Sequence, residues 1–370
     1  MNPFKYSDVQ LSESEYVIAL PSALIGVAVL SLPREVAKVT SFSDGWVSIL
    51  LAGIIFTFIA IMGVKLAALF PEKSFLSYTS FLVSRPVAIG IAFINILIAL
   101  FIVAFSTRAL ASISQQYLFE HTPMEVLALS FLLVVIYAVS GSRVGIFRLN
   151  VLFLPIILFA FLFVLLFNIK WFNAANVFPM FQSDLTDYLN GITKTFEAYV
   201  GFGIVLFYFV FIKNPANVTK KVTIGMSVTI AFYMIIFLGC ISVFGNAVTG
   251  NMHYPTIELA KRVDIPGAIL ERIDAVVFTI WIMAIFNSTA ISLDLGVLLL
   301  SSIFKKMKKR ILTFILSPIV YFLALFPQQF DQARKIASLL SQFNIYFTCT
   351  MILGLFLIAK IRGVKSRDKI

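Results

Sequence analysis

Cysteine, histidine and acidic residues are scarce in this 370-residue chain, which holds two, two and 18 of them. Cys240 and Cys349 both fall inside apolar runs, where a thiol acts as a small buried hydrophobe and a disulfide is not expected. His121 and His253 stand in separate polar stretches with no second His or Cys at ligand spacing, so no metal centre is expected. There is no Walker loop, no nucleophile elbow, no HExxH and no carboxylate cluster within an apolar run. The chain is therefore not expected to be an enzyme. Low-complexity tracts and any stretch resembling a soluble domain are also missing.

What fills the chain is hydrocarbon. Sixty per cent of residues are hydrophobic, 13% are charged, and the mean hydropathy is +0.98. No soluble core needs so much apolar side chain, which makes this an all-α polytopic membrane protein. The apolar runs are continuous rather than alternating, which excludes a membrane β-barrel. Ten spans are expected, near 16–33, 46–69, 87–116, 126–140, 151–167, 192–212, 222–245, 273–300, 311–325 and 337–359. The first run lacks an A-x-A-like cleavage site and is followed by many more, so it reads as a retained span.

The net charge of +11 does not indicate a nucleic-acid partner, because the basic residues lie between the apolar runs. They set orientation instead. With the amino terminus inside, inner connections hold 19 Lys and Arg and outer ones 9, with Arg108 inside a span. That bias puts both termini on the cytoplasmic side and favours an even number of spans. The inner cluster from Lys305 to Arg310 reads first as a topology signal. It also suits anionic membrane lipid, at about 1 kcal/mol per basic residue near the surface.

Residues 23–30, ALIGVAVL, recur in thin disguise as residues 198–205, AYVGFGIV, 175 positions later and close to half the chain. Small residues interrupting corresponding apolar segments in two halves point to a transporter-type fold with discontinuous helices. The expected architecture is one transmembrane domain over 1–370. It is a LeuT-like five-plus-five inverted repeat, with repeat one near 16–168, repeat two near 192–359, and breaks in the first and sixth helices. The alternative for either glycine alone is close helix packing.

A break at Gly26-Val27-Ala28 would free N–H groups suited to a carboxylate and carbonyls suited to an ammonium or a cation. Tyr199, Val200, Gly201 and Phe202 would supply the matching side. Ile102, Val103 and Ala104 of the third span would add an apolar lining. Ser288 and Thr289 of the eighth would offer oxygens, unless their hydroxyls bond back onto the helix at i−4. No full charge falls within this inferred pocket, which suits a small zwitterion. Arg108 lies about 7 Å outward of 102–104, and Glu197 about 6 Å outward of Gly201, at 1.5 Å per residue. They are candidates for an ion pair gating the outer side, or for a purely structural pair. Asp294, near the inner end of the eighth span, is expected to reach the interface or a cytoplasmic base.

The stretch Tyr254-Pro255-Thr256-Ile257-Glu258-Leu259-Ala260, then Glu271-Arg272-Ile273-Asp274 and Trp281, resembles the endospore germination permease family. These are the B subunits of GerA-type nutrient germinant receptors, within the amino acid/polyamine/organocation superfamily. Leu30-Ser31-Leu32-Pro33-Arg34 and Phe207-Tyr208-Phe209 look like the same family. The resemblance implies a five-plus-five fold and a place in the spore inner membrane beside a membrane A subunit and a lipoprotein C subunit. It also implies binding of a nutrient, often an amino acid, that starts germination. By position, Gly26, Val103, Val200, Gly201 and Thr289 would meet the ligand. No cofactor is implied. Coupling to Na+ or H+ stays open, since 151–167 contains no Lys of the kind some proton-coupled relatives use. Three readings stand at this point: a nutrient-sensing receptor subunit, a proton- or sodium-coupled amino acid transporter, and a membrane scaffold.

Overall fold

Peptide groups in hydrocarbon have no water to pair with, so a chain this apolar must fold as helices that satisfy themselves. The computed structural model describes residues 10–263, 273–327 and 330–364. The first helix, α1 (Glu13–Leu24), starts on a reciprocal cap. The Ser12 amide donates to Glu15 Oε2 at 2.7 Å, and the Glu15 amide donates to Ser12 Oγ at 3.2 Å. Its axis turns by 53° across a short gap before α2 (Ala28–Ala37) begins.

The chain continues through α3 (Gly45–Ala68), a short α4 (Phe75–Leu82), α5 (Arg85–Tyr117), α6 (Met124–Ser140) and α7 (Arg143–Phe167). The second half begins with α8 (Leu185–Phe196), which dissolves into three successive 3-10 turns, Glu197–Tyr199, Phe202–Leu206 and Phe209–Phe211. It then follows α9 (Val218–Phe244), short α10 (Asn246–Asn251) and α11 (Pro255–Lys261), α12 (Ile273–Ile303), α13 (Lys309–Leu325) and α14 (Phe330–Ile361). Among the described residues, six helices are long and apolar enough to cross a membrane alone, and the bent α1–α2 pair makes a seventh candidate. The shorter α6, the α8 segment with its turns, and α13 occupy the fourth, sixth and ninth places. The result is the expected ten segments, with the first and sixth interrupted.

Several expected boundaries move; the fifth segment starts at Arg143 rather than 151 and the tenth at Phe330 rather than 337. The sixth segment starts at Leu185 rather than 192, because Asp184 and Asp187 form a capping box ahead of the apolar stretch. The first extends to Ala37, past Pro33. The short helix α11 begins with Pro255 at its first turn, where a missing N–H costs nothing. Glu271 and Arg272 lie outside the described residues, as does the side chain of Asp274.

The halves are tied at the amino-terminal end, where the Leu11 amide donates to the Phe211 carbonyl at 2.7 Å and the Lys213 amide to the Leu11 carbonyl at 3.0 Å. Deeper in the bundle, aromatic hydroxyls serve the carbonyls that the interruptions release. Tyr233 on α9 bonds the Leu24 carbonyl at 2.8 Å and the Ala198 carbonyl at 3.0 Å, one from each interrupted segment. Tyr16 reaches the Val205 carbonyl at 2.5 Å. Both tyrosines are buried. Tyr233→Phe leaves both carbonyls without that donor and is expected to cost about 1–3 kcal/mol. Thermal unfolding of the detergent-solubilised protein checks this; an unchanged melting curve would mean the bridge carries no stability.

Candidate ligand site between the two interrupted helices

Helix α1 ends at Leu24 and α2 starts at Ala28, so the first amides of α2 have no preceding turn to bond to. Protein donors have already claimed several nearby carbonyls. Trp281 Nε1 donates to the Gly26 carbonyl at 3.3 Å, and Thr256 Oγ1 donates to the Val29 carbonyl at 2.8 Å. The amides fare differently. The Leu30 amide finds the Val27 carbonyl at 3.2 Å, but the amides of Val27, Ala28 and Val29 have no described backbone acceptor. Together with the positive end of the α2 dipole, they make an anion-seeking surface.

Gly201 mirrors this break. Its φ of +104° is a left-handed conformation in which a side chain is strained. The 3-10 turn that follows starts with the Ile204 amide bonding the Gly201 carbonyl at 3.1 Å. At Gly26 the constraint is space rather than angle, since a Cβ there would lie 2.7 Å from Ser288 Oγ.

Between the breaks lies a cavity of about 200 Å³. Gly26, Val27 and Ala28 form its floor, and Ile102, Val200 and Ser288 also face it. The other expected residues sit behind this wall. Val103 and Thr289 are fully buried, and the Thr289 hydroxyl bonds the Ile285 carbonyl at 2.6 Å, the i−4 alternative. Tyr199 stacks on Phe56 at 4.8 Å, and Phe202 packs on the same ring at 5.1 Å. These two aromatics brace the second break against α3 rather than lining the cavity, as does Gly201, which is also absent from the lining.

Two corrections concern charge. The pocket was expected to hold no full charge, yet Arg108 and Glu197 both line it. Nor do they pair with each other. Arg108 Nη1 donates to the Ala324 carbonyl on α13 at 3.1 Å, while Glu197 accepts from Ser338 on α14 at 2.5 Å. Equal depth along two helices did not bring the side chains together, because each found a closer partner on a neighbouring helix. The ion pair at the mouth is instead Glu35 with Arg334, with Arg34 at 3.8 Å from the same carboxylate. Sequence reasoning also missed α14, which lines the cavity through Ala333, Ala337, Ser338 and Ser341. The signal was available as small residues recurring every fourth position of a helix.

The amino-terminal end of the bundle is shut by a buried carboxylate. Asp294, 1% exposed, meets Arg143 Nε at 2.6 Å and Lys309 Nζ at 2.9 Å, and accepts from the Tyr208 hydroxyl at 3.0 Å. This joins α7, α12, α13 and the tail of the sixth segment, and supplies the basic partners that Asp294 was expected to reach.

Residues 10–333 match the family described as spore germination protein. The chain belongs to that family. Among its germination-protein relatives, GerLB of Bacillus cereus is 37% identical over all 370 residues and 98% of its own length. YndE of Bacillus subtilis (strain 168) is 29% identical over 95% of this chain and 97% of its own. In fold, the protein is similar to MhsT, solved in complex with L-phenylalanine. The TM-score is 0.71 at 15% identity, over 93% of this chain and 89% of that one. The Tyr-Pro-Thr and Trp signature now has a physical meaning: Tyr254 lines the cavity, Thr256 holds the first turn of α2, and Trp281 holds the break itself.

Asp294→Asn removes the buried charge that two half-buried cations face. Breaking such a cluster costs about 3–5 kcal/mol, so this germination protein should melt earlier and its amino-terminal end should become more open to proteolysis or thiol labelling. Unchanged labelling would show that the cluster does not hold that end shut.

Proposed function

We propose that this protein is the nutrient-sensing subunit of a spore germinant receptor and binds a small amino acid in the cavity between its interrupted helices. The supporting observation is the row of amides at Val27 and Ala28, which have no described backbone acceptor and belong to residues on the floor of the cavity. A free α-carboxylate is the common anion that fits such a row. The fold neighbour MhsT, held with an amino acid, and the family relatives named for germination lend support to the same reading. The ammonium would face unclaimed backbone carbonyls such as that of Ala23, whose residue lines the cavity. In this reading the chain sits in the spore inner membrane with both termini on the core side, beside a membrane A subunit and a lipoprotein C subunit. Ligand binding shifts a conformational equilibrium that the partners read.

Gly26→Trp places an indole where even a Cβ meets Ser288 at 2.7 Å. Spores carrying it should contain assembled receptor, by co-purification of the A and C subunits, yet lose the nutrient response that the wild type shows. A full response would point to a scaffold. Uptake of labelled amino acid into liposomes containing only this chain should stay at background. Gradient-driven accumulation would instead establish a transporter.

A further inference from the structure

Charge around the cavity is unbalanced. Four cations line it, Arg34, Arg108, Lys194 and Arg334, against two carboxylates, Glu35 and Glu197. Arg34 and Arg334 share the single carboxylate of Glu35 at the mouth. Lys194, half-buried on α8, stands in no described ion pair. A fifth cation, Lys38, follows α2 directly, four residues and about 6 Å beyond Arg34, and it too has no described ion pair. Partial desolvation first, then the like charges of Arg34, Arg334 and Lys194 against the opposing Glu35, hold the Lys38 ammonium below the ordinary lysine range. All four cations of the mouth therefore act on one another.

Other carboxylates do not restore the balance. Glu125, exposed on α6, is the one whose charge acts on Arg108. With Lys38 and Glu125 included, five cations still face three carboxylates. Asp44 is engaged by the amides of Phe181, Gln182 and Ser183. Asp184 and Asp187 cap α8, and Glu258 pairs with Lys261 and accepts from Tyr117.

An excess of one sign acts through its field and needs no contact with the solute. Charges within a Debye length, about 10 Å at 0.1 M salt, add up. Leu24, Phe101, Ile102 and Phe105 make much of the remaining wall hydrocarbon, and low-dielectric walls focus such a field along the opening. A carboxylate and a carboxamide of equal length differ in little but charge, so this field tells them apart. Taking the cavity as the ligand site, as proposed above, we infer that its mouth is a cationic funnel selecting amino acids with a second carboxylate, of the aspartate and glutamate class, over their neutral isosteres. Lys194 and Lys38 are specificity-determining residues in this role.

The test is equilibrium binding of labelled glutamate and glutamine to the purified chain in phosphatidylcholine bilayers, with lysine as a competitor. At low salt glutamate should bind at least about tenfold more tightly than glutamine, the lower end of what a focused field supplies, and lysine more weakly than either. Near 1 M salt, where the Debye length falls to about 3 Å, the preference should shrink to about twofold. Lys194→Gln and Lys38→Gln should each cut the low-salt preference several-fold while glutamine binds within about twofold of wild type, which also shows that the variants fold. The salt series needs no variant. Glutamine binding as tightly as glutamate, lysine ahead of glutamate, a preference unmoved by salt, or one unmoved by both variants overturns the inference. In that case binding abolished by Gly26→Trp would leave the cavity as the ligand site. Binding that ignores Gly26→Trp, or no amino acid binding at all, overturns both readings.

Discussion

A helix cannot be interrupted inside a membrane without exposing peptide groups that lipid will not solvate. Most of this protein's architecture follows from how it meets that cost at Gly26 and Gly201. Hydroxyl and indole donors from Tyr16, Tyr233, Thr256 and Trp281 cover the released carbonyls. The amides are treated differently: those at the start of α2 are left facing a cavity. This asymmetry gives the site its chemical sense, since carbonyls paired internally leave a net demand for an acceptor. The aromatic girdle of Phe56, Tyr199 and Phe202 then acts as a brace that keeps the second break in place.

The two ends of the bundle are built on different principles. At the amino-terminal end, Asp294 is buried with two cations and a hydroxyl, a dense arrangement that is costly to open. At the far end, the Glu35–Arg334 pair sits at the mouth of the cavity with its side chains 20% and 35% exposed. An ion pair that keeps contact with water is worth little. Access therefore costs less from the far end than from the other.

Much of the frame was legible in sequence. Ten segments, the paired interruptions and the basic partners of Asp294 all follow from apolar run length, glycine spacing and charge placement, which are one-dimensional properties. The site was legible only along each helix. Gly26, Val27, Ala28, Ile102, Val200 and Ser288 do share a cavity, but Tyr199, Phe202 and Thr289 turned to helix α3 or back onto their own helix. The expected Arg108–Glu197 pair failed for a related reason. Rise per residue gives depth and says nothing about which neighbour a long side chain finds first; Ala324 and Ser338 lay on helices that the repeat logic had not brought to the site. The tenth segment went unnoticed because its contribution is a stripe of Ala and Ser, residues that in isolation suggest only packing.

Tyr233 has a further consequence. A phenol has a single proton, yet this one stands between two acceptors, 2.8 Å from Leu24 O and 3.0 Å from Ala198 O. The Leu24 carbonyl also accepts from the Gly26 amide at 2.9 Å, so it can release the phenol hydrogen to Ala198 and still be paired. One side chain of α9 thereby ties the first and sixth segments to each other, so that neither can shift along the bundle without lengthening a contact to Tyr233.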